Sequence, residues 1–151
     1  MKRDSRLSGV LHVLLHMADA NGPVTSEKLA EMMQTHPVVI RRILAGLREQ
    51  GLVRSEKGHG GGWTITPELD HVTMQEIYVA LGSPSLFAIG NRSEQTGCLV
   101  EQAVNAVMRD TLREAEALLL TRFGEVTLGE LRRQIPERPT GPANCRHHQT
   151  A

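Results

Sequence analysis

Two short amphipathic segments joined by only a few residues constrain this chain more than any other feature. Thr25 is a good helix N-cap and Glu27 suits the positive end of the helix dipole. Leu29, Ala30 and Met33 then supply a buried stripe that ends near Gln34. His36-Pro37 places a proline where the first turn of a helix tolerates it. Ile40, Ile43, Leu44 and Leu47 follow with the spacing of a second buried face, and Gly51 is expected as its C-cap. Two short helices around a tight turn form a helix-turn-helix. Opposite its buried face the second helix shows Val38, Arg41, Arg42 and Ala45 to solvent. Gly46 inside it costs about 1 kcal/mol relative to alanine, so a tertiary contact is expected to compensate.

The flanking segments fit that centre. From Arg6 to Ala20 the apolar residues Leu7, Val10, Leu11, Leu14, Met17 and Ala18 lie on one helical face, and Asn21-Gly22-Pro23 ends it. After the pair, Leu52 to Ser55 and Gly62 to Thr66 read as two strands around the glycine-rich tip Glu56-Lys57-Gly58-His59-Gly60-Gly61. A helix-turn-helix followed by such a hairpin is a winged helix, with Lys57 and His59 on a wing of small residues suited to a minor groove or a phosphate track. Thr73 can cap a helix through Leu81, and Gly82-Ser83-Pro84-Ser85 breaks it.

Beyond a loop reaching Thr96, Leu99, Val100, Ala103, Val104, Val107, Met108, Leu112, Ala115, Leu118 and Leu119 read as one apolar stripe. The helix that carries it runs from about Cys98 to Arg122, roughly 37 Å at 1.5 Å per residue. A small domain cannot cover a stripe of that length, which points to the same helix of a second subunit. Thr127 starts a last short helix to about Gln134. The fold class expected is therefore mainly α: a winged helix-turn-helix with a two-stranded wing plus a long C-terminal dimerisation helix. The divisions expected are a DNA-binding domain over 1–82, a loop over 83–96, the dimerisation helix and short terminal helix over 97–135, and a disordered tail over 136–151.

Composition narrows the function classes. Only 3% of the 151 residues are aromatic, so the apolar content is carried by aliphatic side chains that suit helix packing. Formal charge is zero overall, but up to Gly62 nine Lys/Arg stand against six Asp/Glu and afterwards eight against eleven, a sign that favours a polyanion partner for the front half. No apolar run approaches the ~20 residues of a membrane span, and there is no apolar leader block, so a cytoplasmic location without membrane contact is expected. No phosphate loop, paired carboxylates or nucleophile beside a base is present, which argues against an enzyme.

Taken together, Arg6-Leu7-Ser8, Gly22-Pro23-Val24-Thr25-Ser26 into Leu29-Ala30, Gly51-Leu52-Val53 and above all Lys57-Gly58-His59-Gly60-Gly61-Gly62-Trp63 resemble the Rrf2 family of bacterial regulators. The likeness covers roughly residues 1 to 122. It implies a homodimer with crossed long helices whose recognition helices lie about one DNA turn apart on a roughly palindromic operator of double-stranded DNA. Arg41 and Arg42, with His36 and Val38 near the helix start, match the family's major-groove contacts. Lys57 matches the wing residue of the minor groove, with His59 and Gly60 beside it. Arginine suits base reading because its planar fork donates twice to guanine. A plain solvated helix face is the alternative for the two arginines.

The signal is less constrained. Cluster-binding members carry three cysteines before and into the long helix, where this chain has only Cys98. No cofactor is therefore expected, and an iron–sulfur site built on His12 and Cys98 is the alternative. Cys98 follows Thr96-Gly97 at the start of the long helix, where the dipole favours a thiolate and hence a redox or electrophile switch. A small apolar residue left from a cluster-binding ancestor is the opposing reading. His12 and His16 have a spacing that can hold zinc, though packing or surface roles are commoner. Cys145, His147 and His148 in the tail are read as passengers. A small-metabolite effector lodged at the 83–96 loop, and a winged-helix protein-interaction module, stay open beside the thiol switch.

Overall fold

The computed structural model describes residues 4–136; the tail calls on Cys145, His147 and His148 lie outside them. In chain order the elements are α1 (Arg6–Asp19), α2 (Ser26–Met33), α3 (Pro37–Glu49), β1 (Val53–Glu56), β2 (Gly62–Ile65), a 3-10 turn (Leu69–His71), α4 (Met74–Ala80), α5 (Leu99–Glu125) and α6 (Leu128–Arg133). The fold is a mainly helical winged helix with a long C-terminal helix. The strands sit one residue later at β1 and end one earlier at β2 than the hydrophobic pattern suggests, and the 3-10 turn carries no periodic signal to announce it.

Helices α1 to α3 each begin beside a side-chain acceptor for a first-turn N–H. Asp4 accepts from the backbone N–H of Arg6 at 3.0 Å and pairs with its guanidinium at 2.6 Å. Those bonds, the side-chain one first, hold its carboxyl down at about 2. Thr25 caps α2 through the N–H of Lys28 at 3.2 Å. The turn to α3 passes Gln34 in the left-handed region at φ 51°. His36 Nδ1 then accepts from Val38 N–H at 3.2 Å, while Pro37 fills the first helical position. One expectation shifts here: Gln50 is the C-cap of α3, and Gly51 is the next residue, turning the chain at φ 73°.

The core gathers Val10, Val13 and Leu14 of α1, Leu29 of α2, and Ile40, Leu44 and Leu47 of α3 with Leu52, Val53 and Trp63 of the wing base. Two long-range contacts lock the wing onto the helices. Val24 and Trp63 exchange both backbone hydrogen bonds, at 3.0 and 2.8 Å, so the segment before α2 acts as a third strand. The Trp63 indole N–H donates to the buried Ser26 hydroxyl at 3.0 Å. Gly62 makes that approach possible, since a Cβ there would stand 2.6 Å from the Val24 carbonyl oxygen.

Gly46 has its compensation in α4: a Cβ at 46 would lie 2.7 Å from the carbonyl oxygen of Ala80. Helix α4 is set by a full capping box between Thr73 and Glu76. It also touches α5, where the rings of Tyr78 and Phe123 meet edge-on with centroids 6.0 Å apart. The chain then returns through α6. Leu128 is fully buried in the same core as α1 and α3. Its N–H donates to Val72 at 2.8 Å, and Arg132 and Arg133 pair with Asp19 at 2.5 Å and Asp70 at 2.7 Å.

The apolar residues of α5 do not form the single stripe that their order suggests. At about 100° per residue, Asn105, Leu112, Leu119 and Phe123 share the side facing the chain's own domain, and all four are buried or half-buried. Leu99, Val100, Val107 and Leu118 lie about a third of a turn or more round and Val104 about a quarter turn, all open to solvent, Leu99 at 80% and Leu118 at 74%. Residues 83–98 between α4 and α5 contain no helix or strand.

Candidate nucleic-acid interface

The exposed side of α3 carries Val38, Arg41, Arg42 and, half-buried, Ala45, at positions one and two turns apart that α-helical geometry stacks on one face. None of these is needed for the core, which α3 fills from its other side with Ile40, Leu44 and Leu47. Val38 is 49% exposed although it is apolar, so a thymine methyl could find it uncovered. His36 is exposed as well, but its Nδ1 is engaged in capping, which leaves Nε2 as the nitrogen available to a ligand.

The two arginines differ. Arg41 forms an ion pair with Glu27 of α2, Nη2 to Oε1 at 2.7 Å. Arg42, among the described residues, has neither an ion pair nor a side-chain hydrogen bond. Its guanidinium is thus free to choose a partner, whereas Arg41 is held by the first helix of the pair and must leave Glu27 or bring it along. Reading Glu27 only as dipole chemistry missed this contact, because the pairing spans a turn whose geometry a linear pattern does not contain.

The wing tip projects from the same half. Residues 54–60, Lys57, His59 and Gly60 among them, are all exposed. The turn is built on Gly58 and Gly60, at φ 95° and 77°. Arg54, which sequence reasoning did not single out, lies on β1 with its Nε donating to Thr64 Oγ1 at 3.1 Å and its Nη2 3.3 Å from Glu56. Arg48, at the far end of α3, lies over the Trp63 ring at 5.9 Å and ties α3 to the wing base.

The metal and thiol candidates lie on other elements, His12 and His16 on α1 and Cys98 at the start of α5. His12 and His16 meet with their Nε2 atoms 3.0 Å apart, in an edge-on ring contact. No three His, Cys, Asp or Glu side chains among the described residues are grouped to hold a metal ion. Cys98 is exposed at the N-cap of α5, and its backbone N–H donates to Thr96 Oγ1 at 3.1 Å. One thiol and an imidazole engaged with its neighbour do not make the soft donor set of an iron–sulfur cluster.

A winged helix that leaves one recognition-helix face and a basic wing uncovered defines the class: a DNA-binding transcription regulator. The Rrf2 family model, described as "Iron-dependent Transcriptional regulator", matches residues 3–134, and the chain belongs to this family. It is 26% identical over 135 residues to YffB of Lactococcus lactis, named as an HTH-type transcriptional regulator, with 87% of this chain and 86% of that protein covered. Its fold resembles IscR of T. potens, with a TM-score of 0.62 at 16% identity over 91% of this chain and 94% of the other. It also resembles CymR, the global cysteine regulator of B. subtilis, with a TM-score of 0.58 at 21% identity over 90% and 100%. No helix among the described residues is long and apolar enough to cross a membrane.

Proposed function

We propose that this regulator acts as a homodimeric repressor in the cytoplasm, laying α3 of each subunit into successive major grooves of a palindromic operator with the wing alongside. The observation that carries the reading is the uncovered α3 face, where Arg42 stands without a partner among the described residues beside Val38. An unpaired guanidinium can donate both arms to guanine at no cost in broken contacts. Lys57, His59 and Gly60 follow the adjacent backbone or minor groove. Dimerisation is assigned to the open apolar side of α5, where Leu99, Val100, Val104, Val107 and Leu118 stand exposed and a second copy would cover them. A dimer that only occupies its operator acts most simply by excluding polymerase.

The exposed thiol of Cys98 favours a second element, a redox input at the junction of the DNA-binding half and α5. The test of the main reading is binding to a palindrome selected from random duplexes, followed across a salt series. Arg42→Ala is expected to weaken operator binding by about 1–3 kcal/mol and to relax preference at one base pair, whereas Lys57→Ala should lower affinity uniformly and reduce the salt slope by about 1. Unchanged operator affinity in Arg41→Ala and Arg42→Ala alike would refute the assignment of α3. Mild peroxide that alters DNA affinity in wild type but not in Cys98→Ser supports the thiol input, and indifference in both removes it.

A further inference from the structure

We propose that the cavity between the 85–94 loop and α5 is a binding site for a small zwitterion, an α-amino acid with an apolar side chain. The cavity measures about 290 Å³, at the lower end of small-molecule pockets, which sets the ligand at metabolite size. Two cations, Arg109 and Arg113, and two anions, Glu94 and Glu116, line it. Among the described residues none of the four side chains forms an ion pair or a hydrogen bond, and Glu116 acts on Tyr78 only through its charge. Glu94, Arg109 and Arg113 are exposed, and a guest carrying both signs is the ligand that suits a lining of both signs.

The polar detail agrees. Asn91 lines the cavity, and its Oδ1 is buried without a hydrogen-bond partner; a buried acceptor left unsatisfied is costly, and an ammonium group supplies the missing donor. Its amide nitrogen is turned toward the carbonyl of Asn105 at 3.5 Å. Asn105, itself buried, donates at 2.5 Å to the carbonyl of Ser93 and so fastens the loop to the helix. The arginines, one turn apart on α5, would take the carboxylate as a charge-assisted pair. Phe87, Ile89 and Leu112 offer the apolar wall for a side chain. The cavity lies about half a turn round α5 from the open Val100, Val107 and Leu118, so a dimer formed through that open side leaves it accessible.

The site does not depend on the DNA reading, since it is tested on the free, full-length protein. Each of the twenty L-amino acids would be screened by thermal shift and the best measured by calorimetry, with its N-acetyl and carboxamide derivatives alongside. At least one apolar amino acid should bind, and each derivative, lacking one charge, should bind about tenfold more weakly or worse. Arg113→Gln and Glu94→Gln, both on the surface and folded by circular dichroism, should each lower affinity by a similar factor. Absence of binding by all twenty, derivatives that bind as well as the parent, or undiminished affinity in both variants would overturn the proposal.

Discussion

Gly46→Ala puts helix propensity and tertiary packing in direct opposition. In an exposed helix interior the change gains about 1 kcal/mol, because glycine loses more backbone entropy on folding than alanine. At this position the new Cβ would stand 2.7 Å from the Ala80 carbonyl oxygen. Relaxed C···O contacts are about 3.3–3.6 Å, so α4 must retreat by roughly 0.6 Å. The obstacle is backbone and cannot rotate away, and overpacking of this kind costs about 1–3 kcal/mol. The packing cost exceeds the propensity gain, and a net loss near 1 kcal/mol is expected. Urea unfolding at fixed protein concentration, read through Trp63 as the only tryptophan, should show the midpoint lowered by roughly 0.5 M. Ala45→Gly next to it should also lose about 1 kcal/mol, from propensity alone. A Gly46→Ala protein as stable as wild type or more so would refute the packing account.

Tyr78 is the single tyrosine, and burial first, then the negative charge of Glu116, raise its phenol above the usual value near 10. The folded state therefore favours the protonated phenol. That stabilisation is complete below pH 10 and disappears as pH rises through the folded value, so the midpoint of phenolate absorbance should lie above 10, and a midpoint at or below 10 contradicts the burial. Leu128→Ala should destabilise the winged-helix core by about 2–5 kcal/mol, because the side chain is completely enclosed; a loss under 1 kcal/mol would mean that α6 is only loosely attached. Val107→Glu, at a position 67% exposed in the single chain, should leave the circular dichroism spectrum intact while converting a dimer to a monomer in sedimentation equilibrium. A variant that stays dimeric would show that subunits meet elsewhere.

How far the sequence reaches depends on the range of the interaction concerned. Helices α1 to α4 follow from apolar spacing, and α2 and α4 begin at the threonines that cap them, because caps and faces are set within a few residues. The wing is equally legible in Lys57 to Trp63, since its glycines and flanking strands are contiguous. What the sequence conceals is distant pairing. Ser26 looks like an ordinary helix-start residue until Trp63 reaches it across the fold, and Glu27 looks like dipole chemistry until Arg41 closes on it. For α5 the limitation is angular: ten apolar residues spread over much of the circumference look like one stripe, and only packing against Tyr78 separates the inner side from the outer. The arginine face of α3 was visible as residue types, whereas the difference between an Arg41 engaged with Glu27 and an Arg42 without a partner among the described residues was not.

Helix α4 gives the two ends of the molecule a mechanical connection. It meets α3 where Ala80 faces Gly46, and it meets α5 where Tyr78 faces Phe123. The Tyr78 hydroxyl also donates to the Pro84 carbonyl at 2.6 Å, at the root of the loop that walls the amino-acid cavity. A ligand that draws this loop toward α5 therefore pulls on the same C-terminal turn of α4 that packs against α3. Coupling through such a path is reciprocal: the factor by which an amino acid changes operator affinity must equal the factor by which operator changes amino-acid affinity. Gly46→Ala touches neither ligand but shifts the α3–α4 contact. It should change that shared factor while leaving amino-acid binding to the free protein as in wild type. A factor untouched by the substitution would place the connection elsewhere, with the open side of α5 and the partner subunit as the remaining route.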